Sequence, residues 1–282
     1  NSQPGTSYQF TISSTTPTRY GYEFLGWGNS ASDTSASYAA GGKITLSSTT
    51  ASKTIYAVWR KLSWNITNMQ NMTTDICNSA KSGTSGTLTD NRDNNAYTVE
   101  KLPDEKCWMT QNLRIVNKSI NSTNSDTSGS YTIPASSSPW STSYITDQRV
   151  HYANNTEYGA YYTWCVATAN NCPSTGTASY SICPKGWRLP THTDYTNLMT
   201  AAGATQSNGV LMQPPYNFKA SGSIYSNAIN GTGNWAQYWG TTQVYTGTGY
   251  AVNVLLIEEA GNNITLNNRN AAVGGSIRCI AR

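Results

Sequence analysis

The chain has 282 residues, 18 basic and 14 acidic, for a net charge of +4; only 11% are charged, less than half the usual share. Its polarity comes from 33 Ser, 39 Thr and 29 Asn, beside 19 Tyr and 9 Trp against 3 Phe. So many aromatics exclude a disordered chain, a helical bundle would be richer in Ala, Glu, Lys and Leu, and the scattered basic residues form no nucleic-acid stripe. What remains is a β-rich globular protein whose hydroxyl, amide and phenol groups suit recognition outside a cell.

The first unit spans residues 1–60. Alternation in Tyr8–Ile12 predicts a strand. A turn at Thr16–Gly21 leads to a second strand, Tyr22–Trp27, and residues 28–42 read as a loop. Lys43–Leu46 and Thr54–Trp59 complete four short strands with a thin core. Residues 61–67 read as a connector.

The second unit spans residues 68–282. Met69, Met72, Ile76 and Ala80 predict a short helix. A hairpin follows, Thr87–Asp90 with Tyr97–Leu102, around Asp93-Asn94-Asn95. Residues 117–143 hold few apolar anchors and read as a long surface loop, while Tyr158–Trp164 is aromatic and expected inside. Thr191 and Asp194 stand at capping-box spacing before Tyr195, Leu198 and Met199, with Gly203 placed to end that helix. Beyond residue 210 strands dominate. Tyr250–Ile257 is the strongest, with Val252, Val254 and Leu256 on one face and Leu255 and Ile257 on the other.

Two resemblances follow from these residues. Pro17-Thr18-Arg19-Tyr20-Gly21-Tyr22-Glu23-Phe24-Leu25-Gly26-Trp27, a Gly-rich gap and Thr54–Trp59 resemble the Listeria–Bacteroides (internalin B-type) repeat. That resemblance implies a β-grasp-like surface spacer, here without the family's first strand. Cys107–Leu113, Tyr158–Trp164, Cys183-Pro184-Lys185-Gly186-Trp187-Arg188-Leu189-Pro190-Thr191, Tyr238–Thr242 and Ser276–Cys279 resemble the Fibrobacter succinogenes major paralogous domain. The sequence departs from that family's pattern at residues 240–242 and at Gly274-Gly275. This second resemblance implies a C-type-lectin-like fold with two helices and a looped sheet. The combined expectation is an α+β, β-rich chain. The pair together is similar to surface proteins of ultra-small episymbiotic bacteria.

The six cysteines form no C-x-x-C pair, and the chain has two histidines, His151 and His192. A zinc site has poor ligand spacing here, so three disulfides and an oxidising compartment are expected. Six cysteines allow fifteen connectivities. Joined to the family resemblance, the cysteine positions point to Cys77–Cys107, Cys165–Cys172 and Cys183–Cys279. No segment reaches the eighteen or so apolar residues of a membrane span. No export signal stands at Asn1, so the signal and any surface anchor are expected upstream.

Catalysis finds little support. Neither histidine sits in a nucleophile motif. The formylglycine-generating enzymes share the lectin-like fold, but their chemistry needs cysteines that are expected here in disulfides. No catalytic residue and no cofactor is assigned. Calcium is considered at Asp90–Asn95, which offers oxygen ligands but lacks an EF-hand's Gly and distal Glu. The sugar-binding triplets of calcium-dependent lectins do not occur.

The binding face is expected where aromatics and amides interleave, at Asn234, Trp235, Gln237, Tyr238, Gln243, Tyr245, Asn262, Asn263, Asn267, Asn268, Arg269 and Asn270. Tyr225, Asn227, Asn230 and Asn253 extend it. Tyr and Trp bring stiff contact area; Asn and Gln bring donors and acceptors together. The Asn262–Asn270 run before the C-terminal Ser-Ile-Arg-Cys also resembles the variable stretch of diversity-generating retroelement receptors. The expected function is a non-catalytic adhesin at the cell surface. Its partner would be a host or neighbouring-cell protein or glycan, with no nucleic acid and no membrane insertion. A structural pilus or envelope subunit is the alternative.

Overall fold

In the computed structural model, residues 7–47, 52–136, 148–152, 155–173, 175–225, 228–245 and 250–282 are described. The chain divides into two compact units. One is Asn1–Ser63 with Lys81–Thr84, the other Trp64–Ala80 with Ser85–Arg282.

In the first unit, β1 (Ser7–Thr11) pairs antiparallel with β3 (Lys43–Ser47), and β2 (Tyr22–Gly28) pairs antiparallel with β4 (Tyr56–Lys61). All four strands fall where alternation placed them. The β2–β4 register slips between Phe24 and Gly26, a bulge that re-aims Trp27. Gly26 sits at φ 134°, and a Cβ there would lie 2.6 Å from the Tyr38 carbonyl oxygen, so a side chain does not fit. The core is thin. Val58 and Ile12 are buried, and Phe24 meets Trp27 and Trp59 edge-on at 5.3 and 5.6 Å.

The second unit is built on two antiparallel sheets. In the first, β13 (Trp187–Arg188), β19 (Ile280–Ala281), β7 (Cys107–Met109), β6 (Ala96–Lys101) and β5 (Ser85–Thr89) lie side by side in that order. In the second, the order is β12 (Gly176–Thr177), β16 (Trp235–Tyr245), β17 (Tyr250–Glu258) and β18 (Asn263–Asn270). Three small ribbons complete the strands. They are β8 (Lys118–Ile120) with β9 (Tyr131–Ile133), β10 (Val150–Tyr152) with β11 (Ala160–Tyr162), and β14 (Ser223–Tyr225) with β15 (Ala228–Asn230). Trp64, from the expected connector, is part of this unit; its indole donates to the Val99 carbonyl at 2.9 Å.

Among the described residues, three short α-helices occur rather than two: α1 (Thr74–Ser79), α2 (Trp164–Ala167) and α3 (His192–Ala202). The helix expected from Met69 to Ala80 is broken. A 3₁₀ turn covers Met69–Asn71, Met72 is extended, and the Thr73 hydroxyl accepts from the Ile76 amide to start α1. Helix α2 has only four residues, too few for periodicity to show. The long loop expected over 117–143 is also partly strand, because Ile120 and Ile133 are buried and anchor the β8–β9 ribbon. Its residues 137–143 lie outside the described ones.

Helix α3 matches its sequence signals. The Thr191 hydroxyl accepts from the Asp194 amide at 3.1 Å, and the Asp194 carboxylate accepts from the Thr191 amide at 2.7 Å. Gly203 closes the helix at φ 64°. Burial alone would raise the Asp194 pKa, but the bidentate Arg188 guanidinium and the Thr191 donors hold it below the usual value.

Strand β17 is buried on both faces. Val252 and Val254 join one core cluster with Trp164, Trp187 and Trp239, while Leu255 and Ile257 join a second with Trp108, Tyr195 and Tyr238. The four tryptophans Trp108, Trp164, Trp187 and Trp239 are fully buried, and each indole has an acceptor. The acceptors are Asp104 Oδ2, Gly240 O, Met69 O and Tyr162 O, at 2.7–2.9 Å. A buried N–H left unpaired would cost roughly 1–3 kcal/mol.

All six cysteines are bridged, as Cys77–Cys107, Cys165–Cys172 and Cys183–Cys279. The last closes a sequence separation of 96 residues and ties the turn before β13 to the residue before β19. Replacing Cys183 and Cys279 together by Ser is expected to cost about 4–5 kcal/mol, from the entropy of the released loop. Urea unfolding of the double variant measures it. A second expectation concerns Asp104. Burial, partly offset by the Trp108 hydrogen bond, pushes its pKa up to about 6. The folded state therefore holds a proton that the unfolded chain has lost, and stability falls as pH rises from about 4 to about 6. Asp104→Asn should flatten that slope and stabilise at neutral pH, on the order of 1–2 kcal/mol, in denaturation curves taken across the window.

Candidate functional site

The antiparallel register decides where the candidate binding residues lie. Trp235 pairs with Glu258, and Glu258 with Asn263, at one end of the second sheet. Gln243 pairs with Val252, and Val252 with Arg269, at the other. Six residues of β17 separate these ends, about 20 Å of strand. The sequence-predicted set is thus two groups, not one face.

At the first end, Asn234 is exposed and Trp235 half-buried. The Asn234 carbonyl accepts from the Glu259 amide at 2.6 Å, and Asn263 Nδ2 donates to Glu258 Oε2 at 2.9 Å. Asn262 is a turn residue at φ 51°. Asn230 turns inward on its own hairpin, donating to the Tyr225 and Ala228 carbonyls, while the Tyr225 ring is 56% exposed.

At the other end, Asn267, Asn268 and Asn270 are exposed on β18, with Arg269 half-buried between them. Asn253 on β17 donates from Nδ2 to Asn268 Oδ1. β18 is the outermost strand of its sheet. This end therefore presents amides and a guanidinium along a strand edge.

Gln237, Tyr238 and Gln243 do not belong to an exposed surface. Their exposures are 1%, 0% and 1%, because β16 is covered on both faces, Trp239 packing into one core cluster and Ala236 and Tyr238 into the other. The Tyr238 hydroxyl donates to the Lys219 carbonyl at 2.7 Å and accepts from the Lys219 amide at 2.9 Å. The Asn227 position and the Tyr245 side chain lie outside the described residues.

Asp90 is not available to calcium. It is fully buried, and its carboxylate accepts from Gln70 Nε2 at 2.7 Å and from the Arg92 guanidinium at 2.6–3.1 Å. Asp93 binds Asn95 instead, and burial raises its pKa. Among the described residues, no group of three His, Cys, Asp or Glu is placed to hold a metal ion.

Sequence reasoning passed over a cavity of about 360 Å³ in the second unit. Its walls are Thr98 on β6, Thr110 and Gln111 after β7, Thr156 and Glu157, and Asn217 and Lys219 before β14, with the buried Arg278 among them. The signal was present, since Arg278 stands in the Ser-Ile-Arg-Cys block, but nothing local shows that its guanidinium reaches a cavity.

Residues 104–281 match the family model of the Fibrobacter succinogenes major domain. The chain belongs to this family. The match covers both disulfides of the C-terminal half, helix α3 and the whole second sheet of this Fibrobacter succinogenes major domain. No curated protein matches the chain, and no solved structure does.

With Asp90 held by Arg92, millimolar calcium should leave the thermal midpoint of unfolding unchanged. A ligand that binds only the folded state would raise it, so a calcium-dependent rise in calorimetry would contradict this account of the loop.

Proposed function

We propose that the chain is a non-catalytic recognition protein displayed outside the cell, an adhesin or ligand-binding protein. The observation that carries this reading is the exposure of Asn267, Asn268 and Asn270, with half-buried Arg269 between them, on the outer strand of a sheet in a disulfide-bridged unit. Three disulfides fit an oxidising compartment. Amides beside a guanidinium offer donors and acceptors at low charge. Under this reading the first unit is a β-grasp-like spacer and the second a C-type-lectin-like platform, and the partner is a protein or glycan of another cell's surface. No helix among the described residues is long and apolar enough to cross a membrane. The exposure of Asn267, Asn268 and Asn270 also supports reading them as positions open to diversification, which a near-repeat of the encoding DNA would reveal.

The outer edge of β18 favours one further reading, a structural subunit that assembles by strand addition. The two readings separate on the whole chain. Recognition predicts saturable binding on glycan and cell-surface protein arrays. It also predicts a loss of about tenfold or more with Asn267→Ala plus Asn268→Ala, or with Arg269→Ala, at an unchanged thermal midpoint. Unchanged binding in these variants would refute the edge as the contact. Concentration-dependent growth in light scattering, without array binding, would select the structural reading.

A further inference from the structure

Arg278 is a buried cation without a carboxylate. Its side chain is fully enclosed. Nε donates to Asn112 Oδ1 at 2.7 Å, Nη1 to the Tyr216 carbonyl at 2.8 Å, and Nη2 to the Asn217 carbonyl. The guanidinium lies 4.5 Å from the Phe218 ring centre and 5.7 Å from that of Tyr238. Among the described residues, Arg278 forms no salt bridge. Neutral oxygens and ring faces spread its charge but do not neutralise it, and burial disfavours the charged form. A guanidinium carries five N–H donors; the three bonds above and a hydrogen bond to the Tyr238 hydroxyl use most of them.

Arg278 is also among the residues lining the cavity of about 360 Å³, within the ~300–1,000 Å³ range of small-molecule sites. A second cation, Lys219, stands at the wall. Its partner is Glu157, at 3.5 Å, and the two side chains are 41% and 55% exposed. Such a pair is weak and open to exchange. The cavity walls thus carry two cations against one exposed carboxylate. The remaining lining is hydroxyl and amide. Thr98, Thr110 and Thr156 supply the hydroxyls. Gln111 Oε1 accepts from the Thr98 amide at 2.9 Å, which leaves the Gln111 NH₂ as a donor.

We propose that this cavity binds a hydroxylated carboxylate, the chemistry of an acidic sugar. The carboxylate is held near Lys219 and Arg278, displacing Glu157 from Lys219, and the sugar hydroxyls meet the threonines and Gln111. Carboxylate–guanidinium recognition is directional and strong when shielded from water. The site is separate from the β18 edge and does not require that the edge be a contact surface.

The test uses the whole chain in calorimetric or NMR titration with D-glucuronate, a glucuronate-terminated oligosaccharide and D-glucose. Binding of glucuronate but not glucose is expected. Lys219→Ala should weaken it by about tenfold, and Glu157→Gln should tighten it several-fold by removing the competing carboxylate. Both positions are partly exposed, so neither variant threatens the fold, whereas Arg278→Lys removes structural hydrogen bonds to Asn112, Tyr216 and Asn217 and serves only as a supplement. Arg269→Ala on β18 should leave glucuronate binding unchanged, which keeps this result apart from the edge reading. Binding of the oligosaccharide alone, with the same variant pattern, supports the site and assigns it to glycan ends. Absence of binding by both acidic probes, equal binding of glucose, or indifference to both variants would overturn the proposal.

Discussion

The second unit is held by the need to give every buried carbonyl a donor. Much of its chain runs outside long ladders, so backbone partners are scarce. Side chains supply them instead. Trp164, Trp187 and Trp239 donate to the carbonyls of Gly240, Met69 and Tyr162. Tyr162 and Tyr195 donate to Ile115 and Trp239. Arg114 reaches Ala96, Arg92 reaches Ile182, and Arg278 reaches Tyr216 and Asn217. Each of these bonds joins a large buried surface to a polar latch. This explains why the chain uses 19 Tyr and 9 Trp but only 3 Phe. The aromatics read from composition as a recognition surface are in large part the interior.

The C-terminal strand gathers these latches. Residues 277–282 pass between two other segments. The Ile277 carbonyl accepts from the Leu113 amide, the Cys279 carbonyl accepts from the Met109 amide, and the Arg282 amide donates to Gly186. Ser276 bonds Ser221, Cys279 is bridged to Cys183, and Arg282 pairs with Asp126. One short motif thus joins covalent, ionic and ladder contacts, and it places Arg278 where a cavity forms. The guanidinium itself is fixed by the structural acceptors Asn112, Tyr216 and Asn217.

Local signals were legible wherever they act within a few residues. Thr191, Asp194 and Gly203 define α3 because caps are local. The four strands of the first unit and the β5–β6 hairpin follow from alternation and turns. The cysteine pairs were reached only with a family resemblance, since spacing alone leaves fifteen choices. The break at Met72 was hidden because Met69 and Met72 are both buried, and their spacing mimics one helix face. The candidate face divided for another reason. Sequence proximity put Gln237 beside Trp235 and Arg269 beside Asn262, yet Gln237 lies where β16 is covered on both faces, and register carries Arg269 to the far end.

The low charge content takes on meaning once burial is known. Of the few charged groups, Asp90, Lys101, Arg114, Asp126, Asp194 and Arg278 are buried, and the Arg92 side chain is enclosed. They act as latches, not as surface. What remains outside is dominated by hydroxyls and amides, which exert little force beyond contact distance. Long-range steering, which needs clustered exposed charge, is therefore weak over this surface. Under the proposed reading a partner would be retained by short-range hydrogen bonds and shape, and in a water-exposed setting each such bond contributes only about 0.5–1.5 kcal/mol. On that reading, recognition by the β18 edge has to be multivalent or extensive, whereas the cavity lined by Lys219 and Arg278 is a place in which an ionic contact with a ligand could contribute more.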